Sequence, residues 1–496
     1  MNDFSFYWHD YETWGADPRR DRAAQFAGQR TDADLNPIGE PLVLYARPSD
    51  DMLPQPDACL VTGITPQQAL ERGVPEADFF RRIHREMARP GSCVVGYNNL
   101  RFDDEVTRFG FYRNFIDVYG REWQGGNSRW DLIDVLRLAH ALRPEGIEWP
   151  RDDNGVVSFR LDRLSRANGL THEDAHDALG DVRVTIAMAR LLKQRQPRLY
   201  DYCFTHRGKQ AAAKLLDLRN RTPLLHVSAR YPAARGCIAP VAPVGRLPGN
   251  RNGVVVFDLR ADPAMLVELS PEALRQRLFT PSAELPEGSE RVPLKTVHLN
   301  KCPVLAPLNT LTPEAAERWA IDPARVEAHA ARLAALGDLQ PRLDELFAPD
   351  EGQTFPDDPD LSLYGGFFSN HDKQQIEAIG RLSADALVDY HPVFDDAKLH
   401  ELLFRYRARN WPDTLKADEC QRWEEYRQWR LRDPAGGASI VAETYHARLA
   451  ELENEHPDDA AVRELLAALR TWGGRVLGER LSPRAIALKS HCPDKA

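Results

Sequence analysis

The spacing of apolar residues changes character along the chain. Residues 4–9, Phe-Ser-Phe-Tyr-Trp-His, form an aromatic run of high β propensity and predict a first strand. Residues 42–45 and 93–97 are short apolar runs of strand length. Helical patterns lie between and after them, as over 76–88. In 177–193 the apolar residues Leu179, Val182, Ile186 and Ala189 recur at spacings of three and four, which predicts an amphipathic helix. Residues 1–195 therefore read as an α/β domain.

Residues 196–350 follow a different pattern. The stretch 226–244 is rich in Pro, Gly and Ala, with breakers at Pro232, Gly236, Pro240 and Pro243, while 254–257 and 292–299 predict strands. A small β-rich domain is expected, followed by an alanine-rich helical extension over 312–346. Residues 343–360 hold seven acids, no basic residue and three prolines, and predict an exposed linker. Beyond it, 371–477 reads as almost all helical, with helices expected over 372–382, 399–409, 417–432, 439–453 and 459–472. The last two dozen residues have no clear period.

Composition narrows the class. The chain has 496 residues, 43% hydrophobic and 28% charged, with a net charge of −10. Such values exclude a disordered chain or a disulfide miniprotein. No stretch approaches the roughly 18 uninterrupted apolar residues of a membrane span, and the N-terminus lacks the pattern of a secretory signal. The seven cysteines are scattered without a C-x-x-C, which suits a reducing cytoplasm and argues against a thiolate metal site. The negative total argues against wholesale coating of nucleic acid but leaves room for local basic tracks. One is 205–235, with seven Lys/Arg against the single acid Asp217. Another is 402–411, where Arg405, Arg407 and Arg409 alternate with Phe404, Tyr406 and Trp411; these arginines are expected to touch DNA or a partner.

Three motifs carry chemistry. In His9-Asp10-Tyr11-Glu12-Thr13 two carboxylates two apart leave the same face of a strand, where they repel unless a hard cation lies between them; alone, the motif equally fits a polar strand end. Residues 96–104 take a strand through an Asn-rich turn into Asp103 and Asp104 at a helix start, where acids also serve as dipole partners. In residues 175–181, His176 precedes Asp181 by five positions, pairing an imidazole with a carboxylate as water activation requires. A lone histidine at a helix start is more often structural.

Together, D-x-E, a later Asp and H-x-x-x-x-D follow the order of the DEDDh 3′→5′ exonucleases. HDYETWG, DRAAQFAGQRTD, TGITP, GYNNLRFDDEVTRFGFYRNF, SFRLDRL and AHDALGD resemble the bacterial exonuclease I family in particular. HLNKCPVLAPLNTL, LYGGFFS and LLFRYRARNWP continue the resemblance to about residue 411. It implies a ribonuclease H-like exonuclease domain (1–195), a small SH3-like β-rich domain with a helical extension (196–350) and a C-terminal helical domain (351–496).

The implied activity is Mg²⁺-dependent, processive 3′→5′ hydrolysis of single-stranded DNA to 5′-mononucleotides, in DNA repair and recombination. By the resemblance, Asp10, Glu12, Asp103 and Asp181 would hold two Mg²⁺ ions, and His176 would orient the attacking water and take its proton. Whether Mn²⁺ substitutes is left open. Glu12, Thr13, Thr62, Gly63, Ile64 and Arg160 would contact substrate. The resemblance also implies a cytoplasmic monomer that binds the acidic, apolar-ended tail of single-strand DNA-binding protein. Tyr202, Arg207, Lys209 and Lys214 are the candidate seat for that tail. An RNA-trimming DEDDh enzyme is a poorer fit, because such chains are close to one domain in size. A decayed nuclease acting as a scaffold would lack a carboxylate, and none is missing.

Overall fold

The structure, a computed structural model, describes residues 4–170, 177–286, 288–348 and 357–479. The chain divides into two compact units, Met1–Ser128 with Glu173–Arg183 and Thr354–Ala496, and Arg129–His172 with Val184–Gln353. In chain order the elements relevant to the site are β1 (Ser5–Thr13), β2 (Ala23–Thr31), β3 (Pro37–Tyr45), α1 (Pro56–Thr62), α2 (Pro66–Arg72), α3 (Glu76–Met87), β4 (Ser92–Gly96), α4 (Asp103–Arg113), β5 (Ser128–Asp131), α5 (Leu132–Leu142), α6 (Leu161–Ala167) and α7 (Ala178–Arg195).

The first sheet runs in the order β3-β2-β1-β4-β5. β1 pairs antiparallel with β2 and, over Ser5, Phe6, Tyr7 and Trp8, parallel with β4, so its first half is covered along both edges. An interior strand must also be apolar on its faces, which accounts for its aromatic run. Tyr7 and Tyr11 pack on one face with Phe26, Phe79, Phe80, Val94, Val106 and Phe111. Phe6, Trp8, Asp10 and Glu12 take the other face by the period of two. Burying a phenylalanine or a similar side chain contributes about 1.5–3 kcal/mol, so the aromatic core fixes which face carries the acids.

The helices of residues 357–479 belong to the same unit. Phe109, Tyr112 and Phe115 share a core with Leu363, Ile379, Leu399, Leu402 and Tyr406. Trp14, Cys59, Ile64 and Ala69 share another with Tyr445, Leu449, Leu466, Leu469 and Trp472. Helices form close to the expected spans, at Asn370–Arg381, Lys398–Asn410, Ala417–Arg432, Ala442–Glu455 and Ala460–Val476.

Two expectations here are corrected. The acidic run is not simply an exposed linker: residues 349–356 lie outside the described residues, but Asp360 is 3% exposed. Its carboxylate takes Arg405 at 3.0 Å and Arg409 at 2.6 Å. Nor are Arg405, Arg407 and Arg409 presented to a ligand. Arg409 also grips Asp51 at 2.8 Å, Arg405 pairs with Asp358, and Arg407 pairs with Glu419. Phe404 and Tyr406 are core residues. The alternating pattern was real, but it serves a buried ion network. Burial alone would raise the Asp51 carboxyl; Arg22, Arg409 and Arg430 hold it well below the ordinary range.

The second unit holds a five-stranded sheet of β6 (Leu224–Val227), β7 (Ile238–Arg246), β8 (Gly253–Asp258), β9 (Leu294–His298) and β10 (Leu305–Pro307), in the order β10-β6-β7-β8-β9. α8 (Pro197–His206) and α9 (Lys209–Leu215) precede it, and Ala212 and Leu216 pack on Leu224, Val241, Val256 and Val297. Pro240 and Pro243, expected to break structure, lie inside β7. The Pro240 carbonyl still accepts from Leu259, and the register shifts between Pro243 and Gly245. Proline in a strand is tolerated where no ladder N–H is needed, and at bulges.

Arg409→Met should destabilise the protein by about 3–5 kcal/mol, because Asp51 and Asp360 would be left buried with less counter-charge. A depressed carboxyl contributes stability above its unfolded pKa and loses it as pH falls. The cost should therefore be full at neutral pH and shrink below about pH 4. Denaturant unfolding of both proteins at pH 7 and pH 3 checks this.

Candidate metal centre

Asp10 and Glu12 stand at the end of β1, opposite Ala27 and Gln25 of β2; the register shifts between Glu12 and Thr13. β4 runs parallel to β1 and delivers the chain to the same end of the sheet. The turn that follows is tight. A Cβ on Gly96 would come within 2.7 Å of Asn99 and 3.1 Å of the His9 carbonyl, so only glycine fits. The Asn99 carbonyl accepts from Phe102 and Asp104, and α4 then opens on Asp103.

Asp103 is turned toward β1. Its carboxylate accepts from the Tyr11 N–H at 3.2 Å. Thr107, one turn on, donates to the Asp103 carbonyl at 2.8 Å and lies 3.0 Å from the Tyr11 hydroxyl. Behind it, Asp104 and Arg121 form a fully buried pair at 2.9 Å. Asp181 comes from the first turn of α7.

Ligand oxygens of Asp10, Glu12 and Asp181 lie within 4.8 Å of one another. Asp103 is not part of that trio, but it is the leading carboxylate neighbour of Asp10. Burial, then Asp103, Glu12, Asp181 and Asp177, push the Asp10 carboxyl well above its ordinary range. Glu12 is pushed up to about 8 by burial, then by Asp181, Asp103 and Asp177. Every cause is desolvation or a like charge. A cation would relieve both penalties, and this set of hard oxygen donors fits Mg²⁺ or a similar ion. His9 faces away; burial pushes its pKa down to about 4, so it is neutral there.

The remaining expected residues are placed as follows. Thr13 donates to the Gly15 carbonyl at 2.7 Å. Thr62 ends α1, and its hydroxyl accepts from the Ile64 N–H. Gly63 has φ +68° and closes on the Cys59 carbonyl, so the turn itself calls for glycine. Ile64 is packed in the core with Trp14 and Cys59. His176 lies outside the described residues. In the second unit, Arg160 is largely exposed and pairs with Asp162 at 3.1 Å. Tyr202 stacks on His206 and donates to the Leu305 carbonyl at 3.0 Å, lining a small cleft with Trp130, Cys203, Arg207 and Cys302. Lys209 and Lys214 are exposed on α9. Sequence reasoning passed over Asp177 and Gln25. The only trace of Asp177 is its position four before Asp181, which puts both on one helix face; Gln25 had no local signal.

Three family models match the chain: Exonuclease over residues 7–189, Exonuclease I SH3-like domain over 207–349 and Exonuclease I C-terminal domain over 357–476. Exodeoxyribonuclease I of Escherichia coli is 47% identical over 473 residues, covering 95% of this chain and 98% of that protein. Among solved structures, exonuclease I from Methylocaldum szegediense superposes with a TM-score of 0.92 at 53% identity, covering 96% of this chain and all of that one. E. coli exonuclease I in complex with a dA16 oligonucleotide gives 0.91 at 46% identity, covering 95% and 100%. An SSB/exonuclease I structure in complex with an inhibitor gives 0.87 at 44% identity, covering 96% and 100%.

The repulsion is directly measurable. A carboxyl raised on folding favours the folded state at low pH and loses that contribution as pH rises through the raised value. At pH 8 in EDTA, Asp10→Asn should raise the melting temperature by about 2 °C or more. Added Mg²⁺ should stabilise the wild type and not the variant. Thermal melts with and without the ion check both signs.

Proposed function

This chain belongs to the exonuclease I family, and on that premise we propose how its residues carry out the hydrolysis. It is an exodeoxyribonuclease acting on single-stranded DNA. The proposal rests on one observation, the three carboxylates of β1 and α7 gathered within 4.8 Å with Asp103 beside them. Asp10, Glu12, Asp103 and Asp181 would hold two divalent ions, Mg²⁺ by the hardness of the ligands. When bound, such a pair supplies Lewis-acid stabilisation of the phosphate and lowers the pKa of water.

The protein's own groups do the rest. His176 takes the proton from the attacking water. The oxygen adds to the 3′-terminal phosphorus, the bond to the preceding 3′ oxygen breaks, and a 5′-mononucleotide leaves. Thr13, Thr62, Gly63 and Ile64 border the terminal nucleotide, and Arg160 suits a phosphate because its guanidinium fork binds two oxygens at once. Digestion proceeds from the 3′ end, processively, and stalls at duplex, consistent with a role in DNA repair and recombination. The domains are 1–195, 196–350 and 351–496. The enzyme works as a monomer in the cytoplasm; no described helix is long and apolar enough to cross a membrane.

The second unit is the seat for the tail of single-strand DNA-binding protein. Trp130, Val304 and Leu305 in the Tyr202 cleft offer apolar walls for a terminal side chain. Arg207, Lys209 and Lys214 supply positive charge for the acids before it. This reading is favoured by the likeness to the SSB/exonuclease I structure.

Asp181→Ala should lower turnover on 5′-labelled single-stranded DNA at least about a thousandfold, several kcal/mol at 1.36 per decade. His176→Ala should cost about 10²–10⁴-fold, with DNA affinity little changed. Retention of a tenth of wild-type activity by Asp181→Ala sinks the metal assignment. A synthetic acidic peptide ending in an apolar residue should bind at about micromolar level, near −8 kcal/mol. Arg207→Glu with Lys209→Glu should weaken it more than it slows digestion of naked DNA. The opposite pattern makes the segment a DNA track.

A further inference from the structure

Gln25 stands in the centre of a row of three. In the strand registers it faces Glu12 on one side and Tyr45 on the other. Directly opposed residues share a sheet face, so all three side chains rise on the side that carries the carboxylates. Gln25 is 2% exposed, and both ends of its amide are used. Its Nε2 donates to the Asp177 carboxylate at 3.0 Å and to the Tyr45 hydroxyl at 2.9 Å. Its Oε1 accepts from the Ala178 N–H at 3.4 Å. That N–H is one of the first-turn donors that a helix cannot satisfy internally.

These contacts meet α7 where it begins. Asp181 lies one turn later, its N–H on the Asp177 carbonyl at 3.1 Å. Asp177 and Asp181 therefore share a face, and Asp177 already adds to the charge felt by Asp10 and Glu12. Left untethered, it could swing in as a rival ligand or be driven off, taking the first turn with it.

We infer that Gln25 is a positioning residue of the metal centre: its amide clamps Asp177 and the start of α7, so that Asp181, and not Asp177, completes the cluster. The role needs an amide. A hydrocarbon would leave Ala178 and Tyr45 unsatisfied, and a carboxylate would face Asp177 at hydrogen-bond distance. The inference rests on the reading of this cluster as a divalent-metal site, and the test separates the two.

Mn²⁺ binding to the full-length protein is measured by calorimetry, beside kcat and KM on single-stranded DNA and the melting temperature in EDTA. Gln25→Glu should weaken Mn²⁺ binding at least about tenfold and lower kcat similarly, with KM little changed. Gln25→Glu combined with Asp177→Asn reverses donor and acceptor across the same contact at unchanged total charge. It should return Mn²⁺ affinity and kcat to within about threefold of Asp177→Asn alone. If Gln25→Glu does not fold, Gln25→Met, which removes the same hydrogen bonds without adding charge, should show the same loss. Unchanged Mn²⁺ binding in the single variants, or a double variant that folds yet stays as weak as Gln25→Glu, overturns the inference. Absence of Mn²⁺ binding by the wild type overturns the metal reading itself, and the inference with it.

Discussion

Holding carboxylates together against their own repulsion is the constraint around which the nuclease part of this molecule is arranged. Asp10, Glu12 and Asp181 come within 4.8 Å, and burial adds a second penalty to the like charges. A flexible loop would let such groups separate. Here two are set by the β2-paired end of a strand whose first half is paired on both edges, one by the first turn of α7, and Asp103 by a turn too tight for any residue but glycine at position 96. Rigidity is thus the means by which the like charges are kept together, and their mutual repulsion is what a bound cation would relieve.

Elsewhere in the same unit the chain buries charge in the opposite manner. Asp51 and Asp360 are more deeply buried than the site acids, but Arg22, Arg405, Arg409 and Arg430 surround them. Their carboxyls are held low, whereas Asp10 and Glu12 are pushed high. The arginine-rich network is complete without a ligand and joins residues of the early loop at 51 to the helix Lys398–Asn410. Desolvation is common to both places; what differs is whether the counter-charge is built in. This contrast separates a structural group from the candidate site.

Much of this was legible residue by residue. The aromatic run of β1, the same-face spacing of Asp10 and Glu12, the amphipathic period of α7 and the helical pattern after residue 357 all follow from local geometry. Charge was harder to read. Arg405, Arg407 and Arg409 looked like a ligand track because alternation with aromatics is shared by a nucleic-acid surface and by a helix that buries ion pairs. The acids at 358 and 360 looked solvated because composition cannot say which acid meets an arginine. Pro240 and Pro243 looked like breakers because a strand tolerates proline only where the partner asks for no N–H.

By itself the sequence determined the elements, the order of the motifs and the face of β1 from which two carboxylates project, since strand and helix periods act over a few residues. Only the tertiary structure decided which distant groups meet. Gln25 reaches Asp177 across 152 positions, and Arg409 reaches Asp51 across 358. Such pairings depend on strand register and helix packing, where every residue contributes a little and none carries a signature. A carboxylate's partner, and hence whether it is a ligand or a brace, is therefore settled in space and not along the chain.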